Sequence, residues 1–556
     1  MSPQPRDDSI VLDIRSMRIA VRTDAGEGPV LVDDVSLSLR RGEVVGLIGE
    51  SGAGKSTIGL ASMGYTRRDC YIVGGSIVFG GMDIRAVSAD KRRALRGPKI
   101  AYIAQSAAAS FNPAHTLMEQ VCEASIRHGV LTPAEARAEA VSLFRQLDLP
   151  SPETIGARYP HQVSGGQLQR VMAAMAMVAK PDILIFDEPT TALDVTTQVE
   201  CLAAFRKLIR GHGTAALYIT HDLAVVAQIA DRIMVLRRGK MVELGDSRQI
   251  LQQPKEEYTR RLVRERVAGH KFVETSGVGE TPILAIDHVS ANYPGKPGVI
   301  DDVSLEVRKG DTVAVVGESG SGKSTLARVV MGLLPRSAGD VRFNGTSLPP
   351  RLKDRTKDQL RRVQMIYQMP DVALNPQHTL LDTIGRPVAF YFNRSRDEVR
   401  SRTLELLRQM DLPESYLTRK TSELSGGQKQ RVSIARALAA EPDLIICDEV
   451  TSALDQLVGE EILRLLKKLQ DDLGVAYLFI THDLGTVKRI ANKVAVMLRG
   501  RLVAGGETAA VFAPPYHPYT ELLLSSVPEM RPDWLDEVLA KRATAAAATA
   551  ALLRAP

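Results

Sequence analysis

Short apolar runs alternate with helical patterns along most of the chain. VVGLIG (44–49), ILIF (183–186) and LYIT (217–220) are short, mostly apolar and followed by glycine or polar residues. Runs of this kind are typical of parallel strands that are buried on both faces of a sheet. Between them, TPAEARAEAVSLFRQLDL (132–149) begins with Thr and Pro and then places apolar residues at helical spacing. The pattern therefore predicts an α/β fold.

The second half of the chain repeats the first. VDDVSLSLRRGEVVGLIGESGAGKST (32–57) is matched by DDVSLEVRKGDTVAVVGESGSGKST (301–325), and further matches follow in the same order. The later pairs are VSGGQ (163–167) with LSGGQ (424–428), ILIFDEPTTALD (183–194) with LIICDEVTSALD (444–455), and LYITHD (217–222) with LFITHD (478–483). A repeat this long indicates duplicated domains and not a solenoid of short units.

The repeat sets the predicted domain boundaries. We expect a first domain at 9–267, a polar linker at 268–280, a second domain at 281–532 and an Ala-rich tail at 533–556. The tail suits either a marginal helix or a disordered segment, and we assign it no function.

Composition restricts the class of protein. The chain has 556 residues, of which 44% are hydrophobic and 24% charged, so wholesale disorder is excluded. Lys and Arg number 71 against 65 Asp and Glu, and a net charge of +6 gives no reason to expect nucleic-acid binding. We find no uninterrupted apolar run of about 18 residues for a spanning helix. MSPQPRDDSI (1–10) has acids where a secretion signal needs an apolar core, and four scattered cysteines fit a reducing cytosol.

Two glycine-rich segments carry the chemistry of phosphate binding. GESGAGKS (49–56) and GESGSGKS (317–324) both fit G-x-x-x-x-G-K-[ST] and follow an apolar strand. Their glycines let backbone N–H groups surround phosphate oxygens, the Lys reaches the β/γ-phosphates, and the Ser hydroxyl binds magnesium. The predicted nucleotide contacts here are Gly49, Gly52, Gly54, Lys55, Ser56, Thr57, Gly317, Gly320, Gly322, Lys323, Ser324 and Thr325.

Acidic residues end the later apolar runs. Asp187 and Asp448 lie where a second magnesium-holding carboxylate belongs, and Glu188 and Glu449 follow as candidate bases that polarise the attacking water. The bland alternative is that these acids cap helices. His221 and His482 occupy matching positions after a later strand, as do Gln105 and Gln368 after an earlier one.

The ordered set of phosphate loop, Gln, SGGQ, apolar-DE, ALD and THD resembles the nucleotide-binding domain of ABC ATPases. The resemblance covers nearly the whole chain, twice. It implies an α/β architecture of two tandem ABC-type P-loop ATPase domains, each with a mixed-sheet RecA-like core and a helical subdomain. It also implies that the two domains associate head to tail and act on ATP with Mg²⁺. Each ATP would then lie between one phosphate loop and the SGGQ of the opposite domain. Both sites are expected to hydrolyse ATP.

The resemblance also implies roles for individual residues. One site would combine Lys55, Ser56, Gln105, Asp187, Glu188 and His221 with Ser425, Gly426, Gly427 and Gln428, and the other would combine Lys323, Ser324, Gln368, Asp448, Glu449 and His482 with Ser164, Gly165, Gly166 and Gln167. Magnesium would contact Ser56, Gln105 and Asp187 in one site and Ser324, Gln368 and Asp448 in the other. Asp194 and Asp455 match the D-loop, and Tyr293 fits the aromatic that stacks on adenine, whereas RIAVRT (18–23) offers none.

Three further segments are similar to those of peptide/nickel importer ATPases. They are SFNPAHTL (110–117), ALNPQHTL (373–380) and YHPYTELLLSSVP (516–528). This resemblance implies an ATPase that powers uptake of a small solute, above all di- or oligopeptides. It also implies two multi-spanning permeases, an extracytoplasmic solute-binding protein, and a peripheral position on the cytoplasmic face of the bacterial inner membrane. No Cys follows Cys447, so we expect no iron–sulfur cluster.

A soluble double ABC ATPase that acts on ribosomes or DNA is the alternative. Translation-factor members usually carry a long charged linker and SHDR, whereas this chain has a short linker and THDL. DNA-repair members insert zinc cysteines or long coiled coils, and neither is visible in this sequence. The basic stretches DKRRALRGPK (90–99) and RLKDRTKDQLRR (351–362) hold few aromatics, which favours a solvated helical face over nucleic-acid binding. The choice among peptide, nickel, opine, glutathione and oligosaccharide stays open.

Overall fold

The computed structural model describes residues 9–23, 26–191, 193–267, 281–452 and 454–552. Contacts divide the chain into two compact units, Met1–Ala268 together with Pro528–Pro556, and Gly269–Val527. The predicted linker at 268–280 lies outside the described residues. Residues 528–532 were predicted to belong to the second domain, but they group with the first unit.

Strands occupy equivalent stretches of the two units. In the first unit they are β1 (Ile10–Thr23), β2 (Gly26–Arg40), β3 (Val44–Gly49), β4 (Cys70–Phe79), β5 (Met82–Asp83), β6 (Ile100–Ile103), β7 (Ile183–Asp187), β8 (Ala215–Ile219), β9 (Arg232–Arg237) and β10 (Lys240–Asp246). In the second they are β11 (Leu284–Tyr293), β12 (Lys296–Val307), β13 (Thr312–Val316), β14 (Ala338–Phe343), β15 (Thr346–Ser347), β16 (Val363–Ile366), β17 (Leu444–Asp448), β18 (Ala476–Ile480), β19 (Lys493–Leu498) and β20 (Arg501–Glu507).

Helices lie between these strands. The first unit has α1 (Lys55–Ser62), α2 (Ala89–Leu95), α3 (Ala107–Ser110), α4 (Leu117–Arg127), α5 (Pro133–Gln146), α6 (Gly165–Met177), α7 (Val195–His212), α8 (Leu223–Val226), α9 (Ser247–Gln252) and α10 (Glu257–Val267). The second has α11 (Lys323–Val330), α12 (Lys357–Arg362), α13 (Pro370–Ala373), α14 (Leu380–Phe392), α15 (Arg396–Gln409), α16 (Gly426–Leu438), α17 (Gln456–Leu473), α18 (Leu484–Ile490), α19 (Thr508–Val511) and α20 (Pro518–Ser525). A last helix, α21 (Trp534–Leu552), groups with the first unit.

Each unit is built on one mixed sheet and one antiparallel sheet. The mixed sheet has the order β10-β9-β3-β8-β7-β6 in the first unit and β16-β17-β18-β13-β19-β20 in the second. Its pairs are parallel except for β9 with β10 and β19 with β20. Every residue of β3, β7, β8, β13, β17 and β18 is buried, which confirms the prediction of strands covered on both faces.

The antiparallel sheets have the orders β2-β1-β4-β5 and β12-β11-β14-β15. Their apolar side chains share a core with the mixed sheet and with α1 or α11. A second core in each unit lies on the other face of the mixed sheet, beneath the helical segment from α4 to α7 or from α14 to α17. The α/β architecture with a helical subdomain in both halves is therefore confirmed.

The helical subdomain follows the local signals in its sequence. α5 begins after Thr132, whose side chain accepts the Glu135 N–H while Glu135 accepts the Thr132 N–H. Such a capping box satisfies two backbone donors that a helix otherwise leaves open. α2 and α12, which hold the basic stretches, contain no buried residue, as a solvated helical face requires. No helix in the described ranges combines the length and apolar character needed to cross a bilayer.

The end of the chain packs into the first unit. Trp534 and Leu535 at the start of α21 are 3% and 0% exposed and belong to the core beneath the helical subdomain. The Gln228 side-chain amide donates to the Glu529 and Arg531 carbonyl oxygens at 2.7 and 3.0 Å, and its Oε1 accepts the Leu535 N–H at 3.1 Å. The segment that follows the second domain therefore completes the hydrophobic core of the first.

Candidate active sites

The phosphate loops join a central strand to a helix at the carboxyl edge of each mixed sheet. Gly54 and Gly322 cap α1 and α11 with φ of 91° and 112°, in the left-handed region that favours glycine. A Cβ at these positions would lie 3.0 Å from the Leu31 carbonyl oxygen and 2.9 Å from the Val299 carbonyl oxygen. The glycines therefore allow the loop to turn into the helix beside another backbone segment.

The lysines of the two loops fold back over the loop backbone. Lys55 Nζ donates to the Gly49 and Glu50 carbonyl oxygens at 2.7 and 2.9 Å. Lys323 Nζ makes the matching bonds to the carbonyl oxygens of residues 317 and 318, both at 2.8 Å. Each lysine is 5% exposed, and its charge lies at a helix N-terminus, a position that favours anions. Thr57 and Thr325 follow in the first turn of the same helices.

A hydroxyl and a carboxylate meet beside each loop. Ser56 Oγ donates to Asp187 Oδ1 at 2.7 Å, and Ser324 Oγ donates to Asp448 Oδ1 at 2.9 Å. These pairs are the hard oxygen donors that Mg²⁺ prefers, and Mg²⁺ commonly uses few protein ligands together with phosphate oxygens. The donor set therefore fits the predicted metal, and neither aspartate serves as a helix cap.

The two aspartates differ in their remaining contacts. Asp187 also accepts the Tyr102 hydroxyl at 2.5 Å, and burial raises the pKa of that tyrosine. Met365 occupies the position of Tyr102 in the second unit. Tyr102 of β6 pairs with Ile185 of β7, and Met365 of β16 pairs with Ile446 of β17 in the same way. Burial raises the pKa of Asp448 above its usual value, although the Ser324 hydrogen bond opposes the change.

Each glutamate after the strand is the centre of a polar cluster. Glu188 Oε2 lies 3.2 Å from His221 Nδ1 and accepts from the Gln105 side-chain amide at 3.3 Å and the Thr191 hydroxyl at 3.2 Å. In the second unit, Glu449 lies 3.3 Å from His482 Nδ1 and accepts the Gln368 amide at 2.6 Å. These contacts unite the predicted Gln, Glu and His of each unit in one place.

Both glutamates adopt backbone conformations that are uncommon for residues with a side chain. The φ angle is 49° at Glu188 and 49° at Glu449. Non-glycine residues rarely occupy this region, and such strain is found preferentially at functional sites. Other matched positions share this conformation, including Arg238 and Arg499 at 47° each, so it reflects the backbone path common to the two units.

Electrostatics within each Glu–His pair favour the charged forms of both side chains. Burial opposes ionisation of His221, but its hydrogen bond to Glu188 and the charge of that carboxylate outweigh burial and raise the His221 pKa. Burial likewise opposes ionisation of Glu188, but His221 and Lys55 lower the Glu188 pKa. The pKa values of His482 and Glu449 shift in the same directions for the same reasons.

The SGGQ segments start α6 and α16. Ser164 Oγ accepts the Gln167 N–H at 3.3 Å, and Gln167 Oε1 accepts the Ser164 N–H at 3.1 Å. Ser425 and Gln428 form the same capping box at 3.4 and 3.0 Å. Helix capping within each unit therefore accounts for part of this motif.

The two glycines of each SGGQ have different surroundings. A Cβ on Gly166 would lie 2.1 Å from Thr197 Cγ2, and one on Gly427 would lie 2.6 Å from Val458 Cγ1, so the second glycine is required by packing. A Cβ on Gly426 would meet no described atom within 4 Å. Packing within the unit thus gives no reason for glycine at 426. The matching Gly165 is similar, since its nearest neighbour would be 3.9 Å away.

The aromatic position upstream of the loop differs between the units. Tyr293 ends β11, and its hydroxyl oxygen accepts from the Arg328 guanidinium on α11 at 2.9 Å. Val21 is the counterpart of Tyr293 in the first unit. Ile19 pairs with Val32 as Ala291 pairs with Ile300, and Val21 and Tyr293 lie two residues after Ile19 and Ala291. The first site therefore has valine where the second has tyrosine.

The structure brings together most of the predicted residues within each unit, and it adds others. Tyr102 donates to Asp187 and Thr191 donates to Glu188, and neither residue was predicted. Tyr102 had no motif to mark it, and the repeat argues against it because Met365 stands in the second copy. Asp194 and Asp455 cap α7 and α17 through their side chains, which is a local structural role. The pairing of each SGGQ with the opposite phosphate loop stays a prediction.

Comparisons with known proteins agree with this arrangement. A profile of the ABC transporter family matches residues 32–191 and 300–452, and one described as "Oligopeptide/dipeptide transporter, C-terminal region" matches residues 505–552. Glutathione import ATP-binding protein GsiA of Escherichia coli (strain K12) is 36% identical over 570 residues, which cover 95% of this chain and 91% of that protein. The same protein of Shigella boydii serotype 4 (strain Sb227) has the same identity and coverage.

Among solved structures, cbiO1 from Clostridium perfringens, part of the ABC transporter complex cbiONQ, is 30% identical. It covers 42% of this chain and 92% of its own, with a TM-score of 0.39. The family profile spans more than half of the chain, and the relatives match over nearly their full length. The chain therefore belongs to the ABC transporter family of ATP-binding proteins, as an ATPase with two such domains in one polypeptide.

Proposed function

We propose that this chain is the ATP-hydrolysing subunit of an importer that takes up small peptides through separate permease subunits. The observation that carries the proposal is the complete set of phosphate-loop lysine, Ser–Asp pair and Glu–His pair in both units. The oligopeptide/dipeptide transporter region at 505–552 supports peptides as the solute class. The relatives are named for import of glutathione, which is a tripeptide, and this supports a solute of that size.

Phosphate binding is assigned to the loops. Lys55 and Lys323 would hold the β/γ-phosphates, because a buried ammonium at a helix N-terminus favours a polyanion. Mg²⁺, held by Ser56 with Asp187 and by Ser324 with Asp448, would neutralise developing charge on the phosphates. The aspartates orient the serine hydroxyls through the hydrogen bonds already formed between them.

Water activation is assigned to Glu188 and Glu449. Their lowered pKa values keep both carboxylates ionised at neutral pH, so each can accept a proton from, or align, an attacking water. His221 and His482 hold the carboxylates in place through Nδ1 and stabilise their charge.

The SGGQ segments are assigned to the opposite nucleotide. Support comes from the open space around the first glycine, which leaves backbone N–H groups at the start of α6 and α16 free to be approached by phosphate oxygens. Tyr293 is assigned to adenine at the second site, and the first site, with Val21, would bind the base without stacking.

Permeases are proposed to dock beside Gln368. A cavity of about 510 Å³ next to this residue is lined by apolar and aromatic side chains, including Tyr367, Phe390 and Tyr391, and by the polar side chains of Arg386 and Arg436. Such side chains suit a helix presented by a membrane subunit. Tyr367 is replaced by Ala104 before Gln105 in the first unit, so the two units present different surfaces.

These different surfaces support two non-identical permeases. The chain would then be peripheral at the cytoplasmic face of the inner membrane, and a solute-binding protein would deliver the peptide on the other side. The match of residues 505–552 to a transporter region does not favour the alternative of a soluble ATPase on ribosomes or DNA.

Substitution of both glutamates tests the catalytic assignment. The Glu188→Gln, Glu449→Gln double variant should lose about 10²- to 10⁴-fold in kcat for ATP while still binding it, because only the base is removed. Glu414→Gln is a control that removes an exposed carboxylate paired with Arg408, away from both sites. Full ATPase activity in the double variant would overturn the assignment of these bases.

Purification from native membranes tests the transport assignment. The tagged chain should co-purify with two multi-spanning permeases, and cells that carry the double glutamine variant should lose ATP-dependent uptake of labelled tripeptides. Recovery of ribosomal proteins or DNA without a permease would refute the importer and leave a double ATPase of another kind.

A further inference from the structure

The HPYT segment at the end of the second domain builds a short helix around one buried tyrosine. His517 precedes α20, and its Nδ1 accepts the Tyr519 N–H at 3.2 Å, while Pro518 occupies the first helical position. Both features favour helix initiation at this point. Tyr519 and Thr520 are 8% and 1% exposed, so the tyrosine side chain is directed into the unit.

Tyr519 reaches the second phosphate loop. Its hydroxyl oxygen accepts the backbone N–H of Glu318 at 2.9 Å, across 201 residues of sequence. Glu318 is the second residue of GESGSGKS, directly after β13 and its glycine. A segment that lies outside the shared ATPase core is therefore bonded to the backbone that surrounds the predicted phosphates.

The hydrogen bond falls on a peptide unit that Lys323 also holds. The Gly317 carbonyl and the Glu318 N–H belong to one planar trans peptide, so they point in opposite directions. Lys323 Nζ donates to that carbonyl at 2.8 Å, and Tyr519 accepts from that N–H. The tyrosine and the lysine thus fix the same peptide plane from its two ends, and a rotation of this plane would move the lysine from its position.

In the first unit, a charged side chain links the corresponding tyrosine to the phosphate loop. Tyr258 in PKEEYT is the counterpart of Tyr519 and is 7% exposed. Arg237 lies over its ring at 4.7 Å, and Arg237 Nε lies 3.9 Å from the Glu50 carboxylate of the first loop. Leu498 replaces Arg237 in the second unit, where the tyrosine contacts the loop backbone directly.

We propose that Tyr519 is a positioning residue for the second nucleotide site, which sets the affinity of that site for ATP through the Gly317–Glu318 peptide and Lys323. This inference rests on the proposed function, because it takes the loop at 317–324 as a nucleotide site. The HPYT segment, which lies outside the shared ATPase motifs, would thereby contribute to nucleotide binding. It also ties the second site to the Tyr519 hydrogen bond, whereas the corresponding tyrosine of the first unit contacts Arg237 through its ring.

The test measures nucleotide binding at one site at a time. In a Lys55→Ala background, binding of the β,γ-imido analogue of ATP with Mg²⁺ reports the second site, and Lys323→Ala isolates the first. Tyr519→Phe removes only the hydroxyl. Tyr477→Phe is the matched control, since Tyr477 is 3% exposed in the same unit and its hydroxyl donates to the Leu466 carbonyl oxygen at 3.0 Å, away from the loop.

We expect Tyr519→Phe to raise Kd about two- to tenfold in the Lys55→Ala background, as loss of one hydrogen bond allows, and to leave Kd unchanged in the Lys323→Ala background. Tyr477→Phe should lower the melting temperature to a similar degree without a change in Kd. Equal Kd values for both phenylalanine variants, or a rise in both backgrounds, would overturn the role of Tyr519. Unaltered binding after loss of both lysines would instead refute the proposed nucleotide sites.

Discussion

Replacement of Asp311 by Glu is expected to stabilise the second unit. Asp311 is 1% exposed just before β13, and neither carboxylate oxygen has a hydrogen-bond partner among the described residues. Its counterpart before β3 is Glu43, which accepts the Arg40 N–H at 2.8 Å and the Arg232 guanidinium at 3.1 Å. Lys493 occupies the position of Arg232 in the second unit. One methylene therefore separates a satisfied buried carboxylate from one without hydrogen bonds.

The magnitude follows from this comparison. A buried polar group left without partners costs about 1–3 kcal/mol, and a hydrogen bond to a charged group contributes about 1.5–3 kcal/mol. Asp311→Glu should therefore raise the free energy of unfolding of the second unit by about 1–3 kcal/mol, less part of this for the extra side-chain torsion. In a unit of this size, each 1 kcal/mol moves the melting temperature by about 2–4 °C.

The assay is differential scanning calorimetry of the full chain, with Glu43→Asp as the reciprocal variant. Glu43→Asp should lower the transition of the first unit, and Asp311→Glu should raise the transition of the second. A melting temperature of Asp311→Glu that is unchanged or lowered, while Glu43→Asp destabilises, would refute the comparison between the two positions.

The pH dependence supplies an independent check. Burial raises the pKa of Asp311, although Lys493 and Arg308 oppose it, so the folded state holds this proton more tightly than the unfolded chain does. The contribution of Asp311 to stability is therefore fully present at a pH below its pKa in the unfolded chain, which is about 3.9. This contribution is lost as the pH rises through the pKa of Asp311 in the folded state. Asp311→Asn should therefore be more stable than wild type at pH 7, and the advantage should vanish near pH 4.

Five other substitutions separate the remaining roles. Tyr293→Ala should weaken ATP binding at the second site by about 1–3 kcal/mol in titration calorimetry, the value of one stacked base, and Val21→Tyr should strengthen the first; equal effects at both sites would contradict the assignment. Gly426→Ala should leave the melting temperature unchanged but reduce ATPase activity by up to about 10²-fold, the lower end of the cost of one lost oxyanion-hole donor, because its methyl group would block the approach of phosphate oxygens to the helix N-terminus. Gly427→Ala should instead destabilise the fold, and full activity of Gly426→Ala would count against an approaching ligand. Trp534→Ala should lower the free energy of unfolding of the first unit alone by about 3–5 kcal/mol in calorimetry, and a shift confined to the second unit would contradict the packing described.

Features encoded locally could be predicted from the sequence. The strand runs, the cap at Thr132 and the phosphate loops depend on residues within a few positions of one another, and all appear as predicted. Each motif also occurs twice in the same order, which a chance match would not do. The Gln–Glu–His clusters followed from the family resemblance, since nothing in the spacing of Gln105, Glu188 and His221 places them together.

Contacts between distant segments could not be predicted. Tyr102 touches Asp187 because β6 lies beside β7, and strand order is not written in any single strand. Tyr519 bonds to Glu318 only once α20 has packed beside the loop. The Ala-rich tail has weak helical periodicity, which does not indicate a buried face. Trp534 is buried against a surface of the first unit that lies more than half the chain away in sequence.

The placement of α21 has a consequence for synthesis of the chain. The side chains of Trp534 and Leu535, which complete the core of the first unit, leave the ribosome after the entire second domain. At about 5–20 residues per second, roughly 15–60 s pass between the end of the first domain's own sequence and the arrival of this helix. During that interval the first domain exposes part of its core, so a nascent chain that stalls in the second domain leaves an incomplete first domain for chaperones and proteases to recognise.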